Sequence, residues 1–270
     1  MVKKLLKHEF MYYFRTFGMF LPIVLAIGVV TRIFILVGNG SVISDLAIGS
    51  SVLMLVVACV ALVILSYVVS IVRFYKNMYS SEGYLTFTLP VTNAQHIFVK
   101  LLAAIVCEAI CIVTVIAAIA IAISGEPFAE LVRELGNALR EFFYLYGAGN
   151  AIVFIIEAIV LFILSALSGT LLYYACITVG QMAKKNRILM AFGAYFVYYV
   201  ATQMLSTALV IIIMILETSG ALDAIEAWLS ANSVVAIHIY LCGAIVIGAV
   251  LAAAYWLVTQ RIMTKKLNLE

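Results

Sequence analysis

Six stretches of the chain are almost uninterrupted in apolar residues, at roughly 18–37, 47–71, 98–123, 149–180, 188–216 and 234–259. An α-helix rises about 1.5 Å per residue, so about 20 apolar residues cross the roughly 30 Å hydrocarbon core of a bilayer. Every stretch reaches that length. The pattern predicts an all-α integral membrane fold with six transmembrane helices in a single domain. The fourth and fifth stretches are longer than a bilayer requires, which predicts tilt, a break or extension beyond the membrane. Gly169 and Gly180 are the candidate bend points.

Three segments between and before these stretches follow a different pattern. At residues 1–17, Leu5, Leu6, Phe10, Tyr13, Phe14 and Phe17 recur at helical spacing, with Lys3, Lys4, Lys7 and Arg15 around the rest of the wheel. That combination predicts an amphipathic elbow helix on the inner leaflet, its cations near anionic headgroups. Residues 124–148 place Phe128, Leu131, Val132, Leu135, Leu139, Phe142 and Phe143 on one face, opposite Glu130, Arg133, Glu134, Asn137 and Glu141. This predicts an extracellular amphipathic helix, with Pro127 near its first position. The third segment, 73–97, is rich in aromatic, hydroxyl and turn residues. Pro90 ends any helix before it, and Thr92 or Asn93 is suited to cap the next.

Composition sharpens the class. Of 270 residues, 66% are hydrophobic and 11% charged, against about 25% charged in soluble domains. The net charge of +3 is small and says nothing about nucleic acid; the partners expected are lipid and protein, with no nucleic acid. The distribution of the charge is informative. With the N-terminus inside, thirteen of the sixteen basic residues face the cytoplasm. Arg133, Arg140 and Arg32 are the remainder, while Asp45, Glu126, Glu130, Glu134, Glu141, Glu217, Asp223 and Glu226 gather on the other side. Cytoplasmic loops retain Lys and Arg, so both termini are expected in the cytoplasm. The basic and then apolar start superficially resembles a secretory signal. The run contains Arg32, exceeds a signal's apolar region and lacks a small-residue cleavage site, so it reads as a retained span. All five cysteines, including the one-turn pair Cys107 and Cys111, lie in apolar runs, where small packing residues are expected.

Two places carry candidate chemistry. The inner segment displays Tyr79, Tyr84, Leu85 and Phe87 between Glu82-Gly83 and Pro90. Aromatics there suit either a docking knob for a partner or an interfacial belt. Within the spans, Glu108, Glu157 and Arg32 are ionisable, and an unpaired charge there costs about 2.5–3.5 kcal/mol. They should face a polar translocation path or one another, as in an Arg32–Glu157 pair. Small-residue stripes at Ala244, Gly248 and Ala252, and at Ser165 and Gly169, suit close helix contact. His96 and His238 have no acidic or Cys partner at ligand spacing, so no metal is assigned.

Glu82-Gly83-Tyr84-Leu85, Pro90-Val91-Thr92 and Lys100-Leu101-Leu102 follow in an order and spacing that resembles the loop between spans two and three of type 2 ABC transporter permeases. Val179-Gly180-Gln181-Met182, with Lys184, Lys185 and Arg187, is similar to the Gly-Gln and basic run of Firmicutes-type members. The resemblance implies a bacterial plasma-membrane exporter subunit whose coupling loop engages separate ABC ATPase subunits. ATP and Mg would be bound by those partners, since no G-x-x-x-x-G-K-[ST] phosphate loop is present. It further implies a second permease chain, identical or different, and no enzymatic site in this one. In one respect the chain departs from that family. The outer loop near 217–233 is short, and the larger outer insert follows span three instead. The alternatives are a stand-alone secondary transporter or channel using Glu108 and Glu157, an intramembrane enzyme, or a membrane immunity or scaffold protein.

Overall fold

The computed structural model describes residues 2–265 except 81, 89 and 184, and excepting also the side chains of Leu85 and Phe87. Among the described residues all regular structure is α-helical: α1 (Val2–Phe17), α2 (Phe20–Val37), α3 (Val42–Tyr79), α4 (Glu82–Phe87), α5 (Asn93–Ala122), α6 (Glu126–Gly180), α7 (Arg187–Thr218), α8 (Asp223–Ala231) and α9 (Ser233–Lys265). Six of the segments, with α1 and α2 taken together, are long and apolar enough to cross a membrane. The chain is built as a multi-pass membrane protein. Helices satisfy every backbone polar group within the segment, which the hydrocarbon interior demands.

Several boundaries differ from the sequence expectation. The segment beginning at Arg73 starts as helix, because α3 continues to Tyr79 before breaking at Ser80. The amphipathic segment and span four are two helices that meet at a kink, close to the boundary expected after residue 148. Both lie in α6, interrupted at Gly147, whose φ of 74° and ψ of 151° are non-helical. The bend therefore falls at Gly147 rather than at Gly169 or Gly180. A positive φ is accessible to glycine at little steric cost. Gly169 instead remains helical, and Gly180 ends the helix where an added Cβ would lie 2.7 Å from Ala191. Close approach of α6 and α7 is its reason for being glycine. The loop after α7 holds the nine-residue helix α8, packed on α9.

The chain forms two compact units, with the division between Glu141 and Phe142. In the first, α2, α3 and α5 pack on one another, α1 packs on α5 and α4 on α3. Gly28 lets the α2 backbone approach α5 so closely that a Cβ there would sit 2.7 Å from the Ala118 carbonyl oxygen. Thr31 donates to the Ser51 carbonyl at 3.2 Å, joining α2 to α3. Around these contacts Val24, Leu55, Cys59, Leu62, Ala103, Ala104, Cys107 and Cys111 form a continuous core with Tyr13 and Phe17 of α1. Thr92 caps α5 through a reciprocal pair with Gln95, the hydroxyl accepting at 3.3 Å and the Gln95 side chain accepting from the Thr92 amide at 3.1 Å.

In the second unit, burial concentrates late in α6, at Thr170, Leu171 and residues 174–178, while α7 has no buried residue. Pairs of tyrosines connect its helices. Tyr173 stacks on Tyr195 at 5.7 Å, and the Tyr255 hydroxyl donates to that of Tyr198 at 2.5 Å. Gly248 of the small-residue stripe faces Leu164, which gives that stripe a contact with α6.

Candidate functional site

Among the described residues, the most highly charged buried site lies where α1, α3, α4 and α5 meet in the first unit. Glu9, on α1, is 2% exposed. Its carboxylate accepts from Arg73 Nε at 3.0 Å and from Lys100 Nζ at 2.8 Å. Lys100, at the start of α5, is likewise 2% exposed. A buried ammonium is tolerated only when a charge of opposite sign and good geometry offset its lost hydration. Glu9 supplies that charge. Burial by itself would raise the Glu9 carboxyl, but Lys100 and Arg73 together hold it below the usual carboxylate value.

Arg73 links this core to α4. Its guanidinium lies 4.0 Å over the Tyr12 ring and 3.6 Å from Glu82 Oε2. Asn77 donates to the same Glu82 oxygen at 3.4 Å. Glu82 thus ties the first turn of α4 to the last turns of α3. Gly83 beside it is buried, and its amide donates to the Ser80 carbonyl at 2.7 Å. Tyr84 points outward, 54% exposed. Tyr79 does not share that display: it is buried, packed edge-on against Phe74 at 5.9 Å. Pro90 is exposed at the turn before α5. The side chain of Leu85 lies outside the described residues. The arrangement is a six-residue helix fastened at one end by a charge network, with an aromatic ring left accessible.

The intramembrane charges separate into different settings. Glu108 is buried on α5, within electrostatic reach of Tyr13 and Tyr67. Arg32 has its guanidinium against Gly125, where a Cβ would lie 2.7 Å from Nη2. Glu157 is paired with His238, Nδ1 lying 3.0 Å from Oε2. Cys242, one turn beyond His238, donates to the same carboxylate at 3.5 Å. His238 therefore has an acidic partner, contrary to the sequence expectation, and Cys242 shares that partner. The Phe154 ring stacks on His238 at 4.1 Å and borders a cavity of about 310 Å³ with Phe142 and Tyr146.

At the turn from α6 to α7, Gln181 is buried with both side-chain amide atoms lacking a hydrogen-bond partner. Lys185 is exposed and Arg187 half-buried, while Lys184 lies outside the described residues. Asn186 adopts a left-handed conformation with φ of 55° to start α7.

Sequence reasoning missed Glu9 and His238. Glu9 was legible only as a lone acid inside a basic amphipathic helix, which is itself a signal that it is held from within. For His238, the i, i+4 spacing to Cys242 was visible, but Glu157 is 81 residues away. Compared with known proteins, the chain matches no family, no curated protein and no solved structure.

Proposed function

We propose that this chain is the permease subunit of a bacterial plasma-membrane exporter driven by ATP hydrolysis in a separate ABC ATPase. The observation that carries the reading is α4: a short helix carrying the Glu82-Gly83-Tyr84-Leu85 motif, bound to α3 through Arg73 and Asn77 and presenting Tyr84 outward. A lever must be gripped at one point and rigidly joined to what it moves. Tyr84 is the point of grip, and the Glu82–Arg73–Glu9–Lys100 network joins it to α3, α1 and α5. The ATPase partners bind ATP and Mg, and a second permease chain completes the translocation path.

The test is affinity purification of the full chain from native membranes. A P-loop ATPase should copurify, and Tyr84→Asp should remove it while the chain remains folded. Undiminished copurification with Tyr84→Asp would overturn the assignment of α4.

One observation favours a second reading. Glu157 and His238 are a titratable pair inside spans, beside an aromatic cavity, as a proton-coupled carrier would need. Gradient-driven transport in liposomes holding only this chain, lost in Glu157→Gln, would favour that reading over the first.

A further inference from the structure

A second feature of the first unit is independent of how transport is driven. A groove of about 440 Å³ runs along α1 where it faces α5 and the start of α2. That volume falls within the range of small-ligand sites, about 300–1,000 Å³. Phe10, Phe14, Cys107, Ile110 and Cys111 line it, and its one charged lining residue is Lys7, toward the N-terminal end. From Lys7 to Phe17 the α1 wall runs ten residues, about 15 Å. Tyr13 and Phe17 are buried there with their rings stacked 6.2 Å apart, so the wall is anchored to the core.

The charge balance around the groove is one-sided. Glu9 is the only acid on α1, and its carboxylate is committed to Arg73 and Lys100 in the interior. Lys3, Lys4 and Lys7 are exposed, and they share one helical face because they are three and four residues apart. An apolar channel with an uncompensated cationic cluster at one end matches one chemistry: a hydrocarbon chain attached to an anion.

We infer that the groove under α1 binds a single anionic phospholipid, its acyl chain against Phe14, Ile110 and Cys111 and its phosphate against Lys7, with Lys3 and Lys4 adjacent. The lipid would wedge α1 against α5 beside the Glu9 network. General bilayer contact would coat convex helix faces and hold no single lipid. This site is concave and charge-selective.

Native mass spectrometry of the full chain, released from micelles containing equal amounts of phosphatidylglycerol and phosphatidylcholine, tests the inference. One phosphatidylglycerol per chain should be retained in preference to phosphatidylcholine. Lys7→Gln should reduce that preference about fivefold, the effect expected of one cation near a headgroup. Ile110→Trp, at an exposed lining position, should displace either lipid while leaving the thermal midpoint unchanged; Lys265→Gln should change nothing. Equal retention of the two lipids would overturn the inference, as would a preference unaltered by Lys7→Gln. A dimer that forms through this face and is lost in Ile110→Trp would assign the groove to a second copy instead, and would equally overturn it.

Discussion

In the first unit Glu9 holds two cations in a buried site, and α2 and α5 meet so closely that Gly28 has no room for a Cβ. In the second unit Glu157 has a histidine and a cysteine for neighbours, and α7 has no fully buried residue. Within a bilayer the lipid tails are as apolar as leucine, so helices associate through packing and hydrogen bonds rather than through the hydrophobic effect. The first unit uses both means at once. The second relies on isolated side-chain pairs and leaves its apolar surface to lipid or to another protein. The difference suits the lever proposed for α4, which is joined to the more tightly packed unit.

The largest expected effect is at Glu9. Replacing it with alanine strands Arg73 and Lys100, and breaking a buried ion pair in this way destabilises by about 3–5 kcal/mol. Thermal unfolding in detergent should show a large drop for Glu9→Ala; an unchanged midpoint would mean that water or lipid phosphate already serves those cations. Acid should reproduce part of the effect. The folded Glu9 carboxyl lies below its ordinary value, so its stabilisation is complete above the unfolded value, about 4.3, and is lost as pH falls through the folded one. Glu9→Gln should remove that acid-labile component, while Glu157→Gln should leave it in place.

Next in size is Gly28→Val, which drives a side chain into the Ala118 carbonyl and should cost about 1–3 kcal/mol through overpacking. Gly169→Val, where an added Cβ meets open space, is the control and should be nearly silent. Similar losses at the two positions would erase the contrast in packing. The smallest effect is expected for Glu157→Gln. Interhelical polar contacts in membranes average about 0.6 kcal/mol, with a maximum near 1.7 kcal/mol. A loss at Glu157 as large as that at Glu9 would show the second unit to be as firmly cross-linked as the first.

The contrast also explains what could be read in advance. The six spans were legible because apolar length alone demands them, and the Thr92 cap was legible because capping is local in sequence. The division between the amphipathic helix and span four was legible, because the pattern changes from amphipathic up to Tyr146 to apolar from Ala151 onward; that Gly147 makes the kink was not, since both flanks pattern as helix. The extension of α3 to Tyr79 was hidden because Arg73 and Lys76 looked like loop cations, although helices carry such residues past the membrane edge. Neither charged site was legible, since Glu9 meets Lys100 across 91 residues and Glu157 meets His238 across 81. Pattern reveals which residues share a face; it does not reveal which faces meet.

The most direct measurement is photo-crosslinking in native membranes from a crosslinker placed at position 84, with position 144 as the control. Tyr144 is even more exposed than Tyr84 but lies in the segment expected outside the cell. The account predicts one dominant adduct from position 84, containing an ATP-binding protein and changing in yield when nucleotide is trapped, and no such adduct from position 144. An ATPase adduct from position 144, or only lipid adducts from position 84, would contradict it.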